Sequence, residues 1–266
     1  MSARNHWEVW RLKLTAIANQ KGGVGKTSTC VNLCAGLGIL GKRVLMVDMD
    51  PQGNSTSGIG IERASLNASV YELLVEGQSL DECIVPSPWK NVSVVPATID
   101  LAGAEIELVS TMSRETRLKK AIENARFDHV IIDCPPSLGL LTLNSLVAAD
   151  SLIIPIQCEY YALEGLSQLM NTIDLVRSHL NAALKLDGLL LTMYDARTRL
   201  SKDVAGEVRL RFPDKVFKTQ IPRNVRISEA PSHGMPIQYY DAGSPGTTAY
   251  NKFTKEVLKR WQSKEG

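Results

Sequence analysis

Aromatic residues are scarce, at 6% of the chain, and cysteine is sparse and odd in number: Cys30, Cys34, Cys83, Cys134 and Cys158. None of the five falls in a paired metal-ligand spacing, so a disulfide scaffold and a zinc module are excluded and reduced thiols are expected. No run approaches the roughly 18 apolar residues that cross a membrane. Met1 to Lys13 carries charges and two tryptophans where a secretion signal would carry an apolar segment, so a soluble, cytoplasmic protein is expected. Repeats, low-complexity stretches and linker-like breaks in composition are also missing, which favours one folded domain behind a short arm at residues 1–12. Net charge is nearly absent too: 30 Lys and Arg against 28 Asp and Glu leave +2, so bulk charge announces no polyanionic partner.

What remains is a chain of 266 residues, 44% hydrophobic, enough to bury a sizeable core. Short runs dense in Val, Ile and Leu alternate with longer amphipathic ones, which predicts a doubly wound α/β fold: a mostly parallel sheet with helices on both faces. Strands are expected at Leu14 to Asn19, Arg43 to Asp48, Val92 to Pro96, His129 to Asp133, Ser151 to Ile156, Leu186 to Met193 and Val216 to Ile221. The best helices are Lys26 to Leu40, Arg114 to Ala125, Leu140 to Ala149, Leu163 to Leu180, Lys202 to Phe212 and Thr247 to Gln262, with a shorter one capped by Ser69. Charge is unevenly spread: from Asp195 onward there are 14 basic and 8 acidic residues, against 16 and 20 before it.

The run Lys21-Gly22-Gly23-Val24-Gly25-Lys26-Thr27-Ser28 follows the first strand and opens the first helix, the context a phosphate-binding loop requires. Glycines let successive backbone N–H groups curl around an anion at the positive end of a helix dipole. Lys26 would meet the β- and γ-phosphates and the Thr27 hydroxyl would ligate Mg²⁺. The strict phosphate-loop pattern fails at one place, where Gln20 stands for glycine, and a second lysine, Lys21, precedes the double glycine. Two further strands end in carboxylates, Asp48 and Asp50 after Val44-Leu45-Met46-Val47, and Asp133 after His129-Val130-Ile131-Ile132. Each lies where a parallel sheet delivers side chains to a ligand.

These three segments resemble, in order, the deviant Walker A, Walker A′ and Walker B motifs of the ParA/MinD family of ATPases, over almost the whole chain. The resemblance implies a P-loop ATPase domain at residues 13–266 that uses ATP and Mg²⁺. It assigns Asp50 to orienting the attacking water, Asp133 to holding Mg²⁺ through a water, and Asp48 to a supporting place in that network. Lys21, the signature lysine, is implied to reach the other subunit's phosphates in a nucleotide-sandwich homodimer, making slow hydrolysis a switch that resets the dimer. Ile221-Pro222-Arg223-Asn224-Val225-Arg226 also looks like the family, with Pro222 packing on adenine and Asn224 hydrogen-bonding its edge; a plain structural turn is the alternative.

Arg197, Arg199, Lys202, Arg209, Arg211, Arg223, Arg226, Lys252, Lys255, Lys259 and Arg260 gather the positive charge. Dispersed cations suit phosphate contacts without base reading, though a charge run is also what a solvated face looks like. The ParA/Soj-like branch binds double-stranded DNA non-specifically, and its DNA-contacting arginines map onto Arg197 and Arg226. That resemblance implies chromosome or plasmid partition on the nucleoid, with hydrolysis stimulated by a ParB-type centromere-binding protein and no stable membrane association. With about 20 residues before the phosphate loop, the helix-turn-helix domain of longer family members is not expected. Two alternatives stay open: a positioner of protein cargo, and a MinD-like membrane-associated regulator. The latter would use the stripe Tyr250, Phe253, Val257, Leu258 and Trp261 as an anchor, although such a stripe also suits a helix lying on the sheet. An iron-sulfur reductase, a third class, would need bridging cysteines.

Overall fold

The computed structural model describes residues 12–159 and 162–262, so nearly all of the expected arm, with Trp7 and Trp10, lies outside the described residues. Seven strands, β1 (Lys13–Ile17), β2 (Val44–Asp48), β3 (Val85–Pro86), β4 (Val92–Val95), β5 (His129–Asp133), β6 (Ser151–Gln157) and β7 (Lys185–Thr192), form one sheet. Its order is β3-β4-β2-β5-β1-β6-β7, and every pairing is parallel except that of β3 with β4. The helices are α1 (Lys26–Ile39), α2 (Asn54–Gly58), α3 (Leu80–Cys83), α4 (Leu101–Glu107), α5 (Arg117–Ile122), α6 (Leu140–Ala148), α7 (Ala162–His179), α8 (Arg199–Arg211), α9 (Val225–Glu229), α10 (Ile237–Tyr240) and α11 (Pro245–Gln262).

Because side chains alternate along a strand, the sheet feeds two cores. Ala16, Val47 and Ile132 face one cluster, which takes in residues of α4 to α8. Ile17, Met46 and Ile131 face the other, which holds Cys30, Leu33 and Leu37 of α1 with Tyr250, Phe253, Val257 and Trp261 of α11. The crossing of α1 and α11 is close because Gly36 has no side chain: a Cβ there would lie 2.3 Å from the Thr254 hydroxyl oxygen. The stripe on α11 is therefore core.

One expected strand is corrected. Val216 to Ile221 runs beside β7, with Phe217 N–H donating to the Leu189 carbonyl and Ile221 N–H to Leu191. Between those bonds the Lys218 and Thr219 amides donate instead to the Glu256 carboxylate of α11, at 2.7 and 2.9 Å. The ladder is broken there, leaving the isolated bridges Leu189 to Val216 and Tyr194 to Pro222. The Ser69-capped helix is present as expected: Tyr71 N–H donates to the Ser69 hydroxyl at 3.1 Å, the turns widen over Glu72–Glu76, and Gly77 closes them at φ 74°. The Arg114 to Ala125 helix divides into a 3-10 turn, Arg114–Thr116, and α5.

Candidate functional site

The C-terminal ends of β1, β2 and β5 meet on one rung, where Asp133 is in register with both Ile17 and Asp48. By the alternation that sends Ile131 and Met46 toward α1, Asp133 and Asp48 point to that face too. The phosphate loop leaves β1 above them. Asn19 anchors its start, donating to the Pro155 carbonyl at 2.7 Å and accepting from Lys21 N–H at 3.0 Å. Gly23 and Gly25 take φ of 72° and 86°, and Gly25 caps α1. A Cβ added at Gly22 or Gly23 would meet nothing within 4 Å among the described residues, so the glycines border open space. Val24 is buried beneath the loop, while Thr27 and Ser28 are half-buried on the first turn of α1.

Lys26 is 6% exposed, and its Nζ donates to the Lys21 carbonyl at 3.2 Å. Burial lowers its pKa, opposed by Asp133, Cys134 and Asp50 around it. Asp133 is fully buried and neither carboxylate oxygen has a hydrogen-bond partner among the described residues. Burial, with Asp48 beside it, pushes its carboxyl up to about 8, while the Thr27 hydroxyl and Lys26 pull the other way. A buried carboxylate without partners is costly unless a cation or its water shell completes it. Thr27, Lys26 and Asp133 thus fit a magnesium-bound phosphate chain. Asp48 is placed differently: its oxygens accept from Asp50 N–H, Thr56 N–H and the Thr56 hydroxyl at 3.1, 2.9 and 2.6 Å. It holds the turn after β2, and that turn carries Asp50, which is 8% exposed and accepts from Gln52 N–H.

Lys21 sits at the mouth of the loop with its ammonium 3.8 Å from the Glu159 carboxylate, which also pairs with Arg223 at 3.4 Å. Glu159 was not foreseen, nor was Thr192, whose hydroxyl donates to the Val24 carbonyl at 2.8 Å. Neither lies in a motif, and only the sheet order brings them to the loop.

The second cluster of expected residues lies on exposed segments beyond β7. Tyr194 N–H donates to the Ile221 carbonyl and the Tyr194 carbonyl accepts from Arg223 N–H, tying the segment of Arg197 to that of Pro222, Asn224 and Arg226. Asn224 caps α9, accepting from Arg226 N–H at 2.9 Å. Arg197 is 88% exposed and pairs with Asp195, and Arg226 pairs with Glu229 and Asp241. Arg260 leaves the basic face: it donates to the Asp187 and Val216 carbonyls and stacks 4.1 Å over Phe217.

A doubly wound sheet with a glycine-rich loop between its first strand and helix, and aspartates ending the neighbouring strands, defines a P-loop nucleotide-binding protein. The comparisons with known proteins narrow the class. Residues 12–186 match the AAA domain family. The chain is 60% identical to the sporulation initiation inhibitor protein Soj of Bacillus subtilis over 247 residues, 92% of this chain and 98% of that protein. It is 52% identical to the chromosome partitioning protein ParA of Myxococcus xanthus over 250 residues, 93% and 88% of the two chains. Among solved structures it resembles a Mycobacterium smegmatis protein, called cobyrinic acid a,c-diamide synthase, with bound ADP and magnesium. That likeness has a TM-score of 0.84 and 41% identity, covering 95% of this chain and 96% of that one. The chain belongs to the ParA/Soj family of P-loop partition ATPases.

Proposed function

We propose that the protein is an ATP- and Mg²⁺-dependent ATPase of chromosome or plasmid partition. Its ATP-bound homodimer binds double-stranded DNA non-specifically and is reset by slow hydrolysis. The observation that carries this reading is the glycine loop bordering open space over a buried lysine and a buried carboxylate that has no hydrogen-bond partner among the described residues, with a second lysine at its mouth. Bound Mg²⁺ and ATP would supply an electrophilic phosphoryl group and a counter-charge for it. The amides from Gly22 to Thr27 and the Lys26 ammonium would hold the phosphates, Ser28 extends the same helix turn, and Thr27 and Asp133, the latter through a water, would hold the metal. Asp48 fixes the turn so that Asp50 can orient water. Pro222 would pack against adenine and the Asn224 side-chain amide would read its edge.

Lys21 is the switching group. In the isolated subunit it rests on Glu159; in the dimer it turns to the partner's phosphates, so the γ-phosphate joins nucleotide state to assembly. Dimerisation places two copies of Arg197 and Arg226 on one body, and linked sites bind DNA at high effective concentration. A ParB-type centromere-binding protein would accelerate hydrolysis of the nucleoid-bound dimer, in the cytoplasm. A protein assembly as cargo would use the same switch.

The membrane-anchored alternative has weak support, because Tyr250, Phe253, Val257 and Trp261 are buried against the sheet. Among the described residues no helix is long and apolar enough to cross a membrane. Light scattering with ATP tests the switch. Lys21→Ala should stay monomeric and Asp50→Ala should accumulate as a dimer; an unchanged ATP dimer in Lys21→Ala would overturn the role of Lys21.

A further inference from the structure

Thr192 ends β7, which is separated from β1 by β6, and lies 168 residues from Val24 in sequence. Its buried hydroxyl nevertheless donates to the Val24 carbonyl at 2.8 Å. A trans peptide is planar, so its C=O and the next residue's N–H point in opposite directions. Pinning the Val24 carbonyl toward β7 therefore turns the Gly25 N–H away from β7. No acceptor for that N–H is found among the described residues. It is one of the amides with which a phosphate loop of this kind cradles an anion.

The contact uses the whole side chain. A Cβ at Gly25 would lie 3.7 Å from Thr192 Cγ2, so the methyl backs the left-handed glycine while the hydroxyl holds the preceding carbonyl. Thr192 is itself held from both sides. Its carbonyl accepts from Cys158 N–H at 3.3 Å. The next residue, Met193, sits at φ 50°, a left-handed conformation that a methionine keeps only when its surroundings fix it. Beyond it, both backbone groups of Tyr194 are hydrogen-bonded to the segment of Ile221 and Arg223. The hydroxyl is thus presented from a rigid edge rather than from a loop.

We propose that Thr192 is a positioning residue of the phosphate site, holding the Val24–Gly25 peptide in the orientation that presents the Gly25 amide to nucleotide phosphates. The inference rests on the nucleotide reading above. A residue acting on this amide should matter equally for ADP and ATP, unlike Lys21, whose effect requires the γ-phosphate and a partner.

The test compares Thr192→Val, which keeps the shape and loses the donor, with Thr192→Ser, which restores it. Calorimetry with Mg·ADP and Mg·ATP, and turnover against ATP concentration, give the readouts, with Lys26→Ala as control. Thr192→Val should bind both nucleotides about 10- to 100-fold more weakly, the worth of a charge-assisted hydrogen bond, with the loss seen in KM more than in kcat. Thr192→Ser should recover to within about threefold. If Thr192→Val lowers the melting temperature but binds both nucleotides as tightly as the wild type, the hydroxyl is structural only and the inference is overturned. Should Thr192→Val not fold, Thr192→Ala against Thr192→Ser gives the same comparison. Wild-type protein that binds no better than Lys26→Ala would overturn the nucleotide reading itself.

Discussion

The two charged regions of the molecule are built on opposite principles. At the ends of β1, β2 and β5, Lys26 and Asp133 are buried, their pKa values move in opposite directions through burial, and the Asp133 oxygens have no hydrogen-bond partner among the described residues. Beyond β7, Arg197 and Arg226 are exposed and already paired with carboxylates of their own segments. Exposed pairs are worth about 0–1 kcal/mol, so these arginines can exchange a carboxylate for a phosphate at little cost. The first region is preorganised and incomplete, as selective binding of a compact polyanion requires. The second is complete and loosely held, which suits the proposed reversible, salt-sensitive binding to DNA.

The sharpest way to break the contrast is Lys26→Ala, which removes the buried charge and should weaken nucleotide binding by about 1,000-fold, measured by calorimetry with Mg·ADP. A loss below about tenfold would place the phosphates elsewhere.

Next in size is a pH effect at the opposite end of β5. His129 packs against Trp261 with ring centroids 4.7 Å apart and the rings tilted by 31°, and neither ring nitrogen has a partner among the described residues. Burial first, then Lys42, pushes its pKa down to about 4. In the unfolded chain histidine takes up its proton near pH 6.5, so between about 6.5 and 4 the unfolded state binds more protons and stability falls as pH falls. The loss should approach about 3 kcal/mol by pH 4 in denaturant titrations and be largely absent in His129→Phe. Equal acid sensitivity in both proteins would show that carboxylates dominate.

Arg197→Ala with Arg226→Ala should then cost roughly 10- to 30-fold in DNA affinity at low salt and flatten the salt slope by about two per subunit, while leaving the ATP dimer intact by light scattering. The smallest change is a gain. Asp133→Asn removes a buried carboxyl that the fold keeps protonated well above its ordinary pKa, and should raise the stability of the nucleotide-free protein by about 1–2 kcal/mol in thermal melts near neutral pH while abolishing Mg²⁺-dependent turnover. A drop in stability would mean that the carboxylate has partners after all.

The incomplete region was legible in the sequence because its signals are contiguous: a loop that must be glycine-rich, and aspartates one step from the ends of apolar strands. Its supports were not. Glu159, Thr192 and Asn19's partner Pro155 reach the loop only through the order of β1, β6 and β7, and nothing local marks them. The basic region was legible in composition but not in detail. Arg260 belongs by sequence to a charge cluster, yet its guanidinium is spent on backbone carbonyls and Phe217. Val216 to Ile221 has the residues of a strand, but Glu256, from a helix well downstream, takes two amides from the ladder. The stripe on α11 would suit either a membrane or a core by periodicity, and Gly36, by letting α11 approach α1, settles it as core.

The central claim, that nucleotide at the first region governs DNA binding by the second, is tested most directly with Asp50→Ala. Its binding to random-sequence DNA and to anionic liposomes should be measured with ATP and with ADP across a salt series. Tight, salt-sensitive DNA binding with ATP, weak binding with ADP and none to liposomes is the expected result. Liposome binding, or DNA binding indifferent to the nucleotide, would contradict it.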